Sequence, residues 1–300
     1  MKRTFLFILT NIAVMLVLSL VFTVVCALLG VSTADFDEYG INYLSLAIFS
    51  LVFGMGGALI SLLLSKPMAK HSVGARTVTG KEGPAEAWLV QTVADLAQRA
   101  GVKTPEVAIY EGPANAFATG AFKNSALVAV STDIMAQMTR EELRAVLGHE
   151  MSHVRNGDMV TMTLLQGVLN AVVLFASQIV GIFVDGLLSG KGGRRRSRGG
   201  IGYILSRYVC QIVLGIAASL VVMGFSRRRE YAADAGSADL AGSPKAMIAA
   251  LRRLSNLQPG VLPDSLKAMG IGGRSMRSLL ASHPPLAERI RALESWQPPL

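Results

Sequence analysis

The chain has 300 residues, a net charge of +9 and only 16% charged residues, against about 25% in typical soluble domains. Its mean hydropathy of +0.46 argues against an ordinary soluble protein and predicts a membrane protein. The Lys and Arg residues cluster beside apolar segments without any nucleic-acid-binding motif, which points to membrane orientation and anionic lipid, with no nucleic acid as partner.

Met1-Lys2-Arg3 precedes an uncharged stretch over residues 4–30. It is about twice the ~7–15-residue core of a signal peptide and long enough to span a bilayer. Asp35, Asp37 and Glu38 make the next loop acidic, a second uncharged stretch covers 39–65, and Lys66, Lys70, Arg76 and Lys81 follow. Basic outer flanks around an acidic turn predict a hairpin with both ends cytoplasmic. Within it, Gly54-Met55-Gly56-Gly57 invites close helix packing. Cys26 and Cys210 both lie in apolar stretches and read as small apolar residues rather than a disulfide framework.

Residues 66–158 read as soluble. A helical pattern over 84–100 stops at Gly101, and short strands are predicted over 107–110 and 126–130. Between them Asn115-Ala116-Phe117-Ala118-Thr119-Gly120 suggests a third strand or edge, and Ser131-Thr132-Asp133 starts a short helix. Thr139 then caps a longer helix, with Glu142 completing a capping box. That helix carries His149-Glu150-Met151-Ser152-His153, the H-E-x-x-H pattern. Four residues apart, His149 and His153 share one helix face and can converge on one metal ion. Glu150 is turned roughly 100° from His149 and suits a base beside the metal rather than a ligand.

A third uncharged stretch covers 159–184, followed by a Gly/Arg loop over 190–200 with five basic residues. The fourth covers 208–226 and leads into Arg227-Arg228-Arg229 and Glu230-Tyr231-Ala232-Ala233-Asp234. Ser243-Pro244 opens a helix to about Asn256, residues 258–277 form a Gly/Pro-rich loop, and a final helix covers 284–294. The predicted organisation is an N-terminal transmembrane hairpin (1–65), a first catalytic segment with H-E-x-x-H (66–158), a second transmembrane hairpin (159–226) and a second catalytic segment (227–300). The expected fold class is membrane α+β: four apolar transmembrane helices plus a mostly helical, zincin-like catalytic domain with a small β-sheet.

Catalytic zinc takes three protein ligands and an open position. His71 or His283 would make a three-histidine site, but Glu230 is the better candidate. Asp234, one helical turn on, could accept the free N–H of a ligating histidine and so orient it. Alone, this E-x-x-x-D spacing better fits a carboxylate balancing the neighbouring arginines and a surface aspartate; joined to H-E-x-x-H, the ligand reading is favoured.

Together, His149-Glu150-Met151-Ser152-His153, the Ser226–Asp234 run, Asn115 to Gly120 and the late His283-Pro284-Pro285-Leu286-Ala287-Glu288-Arg289 run resemble the HtpX family. These are bacterial membrane zinc peptidases related to the prenyl-protein (CAAX) endopeptidases, and the resemblance covers essentially the whole chain. It implies one Zn2+ on His149, His153 and Glu230, with Glu150 catalytic. It also implies a multi-pass protein of the inner membrane with a cytoplasm-facing active site, acting in stress-linked quality control of damaged membrane proteins. The expected partners are unfolded and membrane protein substrates, the lipid bilayer and other membrane proteases. His283 or Arg289 could supply a transition-state donor, and the stretch beginning at Asn115 could hold extended substrate by main-chain bonds.

His153 and Glu230 can share an ion only if an even number of crossings separates them. Two crossings fit the two long uncharged stretches but place the basic 190–200 loop outside, against the positive-inside rule. Zero crossings keep it inside. Two alternative functions are a prenyl-peptide processing protease and a non-enzymatic metal-binding scaffold.

Overall fold

The computed structural model describes residues 16–24, 27–28, 43–188, 201–256 and 283–297. The chain divides into two compact units, one from Met1–Ser61 with Thr163–Val221, the other from Leu62–Met162 with Val222–Leu300.

Three described helices are long and apolar enough to cross a membrane: α1 (Tyr43–Val73), α5 (Asp158–Leu188) and α6 (Ile201–Ala241). The first expected span, 4–30, lies mostly outside the described residues, although 16–24 and 27–28 are helical. The expectation of four apolar helices is therefore met at three. The basic loop over 190–200 and the whole Gly/Pro-rich loop over 258–277 also lie outside the described residues. In the first unit the helices pack through small residues. A Cβ on Gly54 would sit 2.4 Å from the Ala171 backbone nitrogen, and one on Gly167 would sit 2.6 Å from Met55 Sδ. Large apolar side chains such as Leu51, Val172 and Ile212 point outward, as they do on helices solvated by lipid.

The second unit is built on a four-stranded mixed sheet of β1 (Arg76–Val78), β2 (Glu106–Tyr110), β3 (Ala116–Thr119) and β4 (Leu127–Ser131), in the order β1-β2-β4-β3. β1 pairs antiparallel with β2, β2 parallel with β4, and β3 antiparallel with β4. Strand β1 is not among the expected elements. Its three residues carry no alternation of their own, and it exists only through pairing with β2 some thirty residues later. The helices are α2 (Pro84–Ala100), α3 (Thr132–Gln137), α4 (Arg140–Asn156), α7 (Lys245–Asn256) and α8 (Leu286–Glu294), with the last turns of α6. Leu89, Val93, Val128, Val146, Leu147, Met151, Met247 and Leu251 fill one core between them. The final helix starts at Leu286, two residues later than expected, because Pro285 is its N-cap.

Helix α4 has both of its expected ends. Thr139 Oγ1 accepts from Glu142 N–H (3.2 Å) and Glu142 Oε2 accepts from Thr139 N–H (2.8 Å), closing the capping box. Gly157, at φ 69°, ends it with a left-handed C-cap, a conformation in which glycine carries no Cβ penalty. Helix α6 runs across the 226/227 division of the chain. It continues through Arg227-Arg228-Arg229 as one 41-residue helix that carries Glu230 and Asp234 and ends at Ala241. Arginine is a good helix former, so a charge run ends the apolar face without ending the helix.

Candidate metal centre

Two helices make this centre, and small residues let them come close. Ser237 Oγ donates to Ala145 O (2.6 Å), and Cβ atoms at Gly148 and Gly236 would meet Ser237 Oγ at 3.2 Å and Ser152 Oγ at 2.4 Å. This contact brings the Glu230–Asp234 turn of α6 against the His149–His153 face of α4. His149 Nε2 and His153 Nε2 lie 3.2 Å apart, with Glu230 Oε2 at 3.6 Å from the first and Oε1 at 3.4 Å from the second. One donor atom from each of the three residues falls within 4.8 Å of the other two.

Each imidazole is held from behind. Asp234 Oδ1 is 2.9 Å from His149 Nδ1, and Asp158 Oδ2 is 2.7 Å from His153 Nδ1. A carboxylate only accepts, so both Nδ1 atoms carry a proton and both Nε2 atoms face the shared space. At 3.2 Å, beside a carboxylate, the two Nε2 atoms can share a proton or, with both rings neutral, turn their lone pairs on one cation. The donor set thus fits a divalent metal such as zinc, and two histidines with one glutamate form a catalytic type of site. Burial pushes His149 below its ordinary pKa, favouring the neutral ligand form. Burial also disfavours charge on His153, but Asp158 and Glu230 outweigh it and push that group up to about 10 in the metal-free protein. Such displaced values are typical of functional clefts.

Glu150 sits beside the triad and outside it. Its Oε2 accepts the Ala118 N–H at 2.7 Å. Burial pushes its carboxyl up to about 8, with Glu230 adding to the effect and His153 opposing it. Strand β3, which supplies Ala118, is one of the two sheet edges, with β4 as its one neighbour among the described strands. Asn115, just ahead of it, is tied to β4: its N–H donates to Ser131 Oγ (3.0 Å) and its carbonyl accepts from Ser131 N–H (2.9 Å).

The late segment also reaches the site. Arg289 is wholly buried and grips Asp234 with two bonds, Nε to Oδ2 at 2.8 Å and Nη2 to Oδ1 at 2.6 Å. Its Nη1 lies 3.4 Å from Glu230 Oε2. His283 Nδ1 lies 2.8 Å from the same oxygen, and His283 Nε2 has no hydrogen-bond partner among the described residues. His71 belongs to α1 and is not among the three residues brought together.

Sequence reasoning missed Asp158, Arg229 and the Ala118 N–H. Arg229 Nη2 makes an ion pair with Asp158 Oδ1. The available signal for Asp158 was Gly157, a C-capping glycine that turns the chain back over the last helical turn. Beside His153 lies a cleft of about 270 Å³ lined by Thr119, Phe122, Lys123, Val154, Met159 and Val160 among others.

Comparison with known proteins places the chain in a family. A model of Peptidase family M48 matches residues 84–297. The chain is 53% identical over 298 residues to the Protease HtpX homolog of Herminiimonas arsenicoxydans, covering 99% of this chain and all of that one. It is 54% identical over 302 residues to the Protease HtpX homolog of Bordetella petrii, covering 98% of both. Among solved structures, S. mikatae Ste24p superposes with a TM-score of 0.60 at 18% identity, over 83% of this chain and 58% of that one, a likeness of fold.

Proposed function

The chain belongs to peptidase family M48 and is a membrane metalloprotease; from that premise we propose a zinc-dependent endopeptidase of the bacterial inner membrane that cleaves misfolded or damaged membrane proteins on the cytoplasmic side. The observation that carries the reading is the convergence of His149, His153 and Glu230, with Glu150 alongside. These three residues would hold the metal.

A zinc ion held there would supply Lewis-acid chemistry, polarising a scissile carbonyl and lowering the pKa of water to about 7. Glu150 takes the proton of the attacking water and returns it to the leaving amine, and its buried, raised carboxyl suits both directions of transfer. Asp234 orients His149. Arg289 acts through Asp234, and His283, whose Nε2 has no hydrogen-bond partner among the described residues, serves as the donor to the developing oxyanion. The outer edge of β3, downstream of Asn115, takes an extended stretch of substrate by main-chain bonds. The cleft beside His153 takes an apolar substrate side chain.

The setting supports the substrate class. Three apolar helices keep the protease in the bilayer, where unfolded membrane proteins are the available chains. Other membrane proteases are the expected partners. The test is cleavage of an unfolded membrane protein and of casein by the full-length protein, with zinc content measured before and after chelation. Chelator-reversible cleavage with one zinc per chain is expected. A prenylated peptide cleaved far faster than either substrate would overturn the substrate assignment. For the topology, a cysteine introduced at Ser197 should be labelled from outside intact cells; labelling only after lysis refutes two crossings between His153 and Glu230.

A further inference from the structure

We propose that Asp158 and Arg229 form a positioning relay for His153, separate from the Asp234–Arg289 pair behind His149. The proposal rests on the metal-centre reading above.

The geometry is unusual for its sequence spacing. In an unbroken helix a residue five positions after His153 would lie roughly 140° around the axis and face away from it. Gly157, at φ 69°, breaks that path. It ends α4, and the chain restarts as α5 with Asp158 facing back to the ring. Asp158 is 3% exposed and its Oδ2 is 2.7 Å from His153 Nδ1. As a pure acceptor it holds the proton on Nδ1 and leaves the Nε2 lone pair for a ligand. Its other oxygen pairs with Arg229 Nη2. Arg229 therefore has a task beyond marking the end of an apolar stretch. It precedes Glu230 directly, so one turn of α6 supplies both a ligand and the counter-charge for the other helix's carboxylate.

The two histidines thus have matched supports of different character. His149 is 1% exposed and its Asp234 is gripped by two bonds from the wholly buried Arg289. His153 is the more open ligand, and its support comes from Arg229, which is partly exposed. The relay at His153 is the one that solvent can reach.

The test uses the full-length protein in detergent. Zinc affinity is measured by competition with a chromophoric chelator, and the ligand field by the visible spectrum after Co2+ substitution. Asp158→Asn is expected to weaken zinc binding about 10–100-fold and to shift the Co2+ bands. Arg229→Gln should weaken it less, and Arg229→Lys should lie nearer wild type than Arg229→Gln. Because Arg229 acts through Asp158, adding Arg229→Gln to Asp158→Asn should cost nothing further. Wild-type affinity and spectrum in Asp158→Asn would overturn the relay, and so would an Arg229→Gln effect that persists in full in the double variant. If Asp158→Asn does not fold, the single Arg229 variants decide, and wild-type affinity in both refutes the proposal. His153→Ala separates the two levels. Wild-type zinc affinity in that variant removes the metal-centre reading and the relay with it. Loss of binding there beside an unaffected Asp158→Asn removes the relay alone.

Discussion

Ala118 N–H and Glu150 Oε2 meet at 2.7 Å, so the edge strand and the H-E-x-x-H helix are joined through the carboxylate proposed as the base. The bond fixes one oxygen, and it still forms when the side chain is an amide, whose oxygen accepts as well. Glu150→Gln should therefore keep the local fold and the zinc content while losing the proton acceptor. The expected result is a fall in kcat of about 10²–10⁴-fold with unchanged metal stoichiometry, measured on an unfolded substrate. Retained cleavage would remove Glu150 from the base role.

Arg289 is the buried counter-charge of the centre, forked onto Asp234 and 3.4 Å from Glu230. Removing one member of a buried pair leaves an uncompensated charge and typically costs about 3–5 kcal/mol. Arg289→Ala should lower the thermal unfolding midpoint strongly. Arg289→Lys should recover only part of it, since an ammonium cannot reproduce the planar two-bond fork. Asp234→Asn should weaken zinc binding about 10–100-fold. A wild-type melting curve for Arg289→Ala would show that the fork is not holding the fold.

Much of the fold is legible in the sequence because its code is local. Thr139 and Glu142 announce the start of α4, and Gly101 the end of α2. The three metal-facing residues can be named because two of them sit at fixed helical spacing and the third lies in a run matching a known family. What stays hidden depends on non-local contacts. Gly148, Ser152, Gly236 and Ser237 set the approach of α4 to α6, yet the i,i+4 spacing of Gly148 and Ser152 does not say which distant helix they meet. In the sequence Asp158 is only the end of a polar segment, because its role emerges once Gly157 reverses the chain. Charge at Arg227 to Arg229 marks the end of the apolar run but not of the helix, since α6 runs through them.

The cleft beside His153 should set which residues flank the cut bond. Val160 lines it together with Thr119 and Met159. Val160→Trp fills much of a space of about 270 Å³. Cleavage sites in casein, mapped by mass spectrometry, should move from large apolar residues towards Ala, Gly and Ser beside the scissile bond. KM for peptides with a large apolar residue there should rise, with zinc content unchanged. An identical cleavage map for the variant would take the cleft out of substrate recognition.

Acid stability should depend on Glu106, at the start of β2. Lys66 Nζ lies 2.9 Å from its Oε2, Lys70 pairs with its Oε1, and Thr77 Oγ1 donates to Oε1 at 2.6 Å. Burial alone would raise its pKa, but Lys70, Thr77 and Lys66 outweigh that and hold it at about 2, against 4.5 for a free glutamate. The folded pKa is thus below the unfolded one. The stabilisation is complete above about 4.5 and is lost as pH falls towards about 2, because the unfolded chain binds the proton first. For a carboxylate about a quarter exposed, solvent screening reduces the contribution to about 1–3 kcal/mol. Glu106→Gln should lower the unfolding midpoint at pH 7, and the gap from wild type should close between about pH 4.5 and about 2. A gap that stays constant over that interval would mean that shape, not charge, is what Glu106 contributes at the junction of α1 with the sheet.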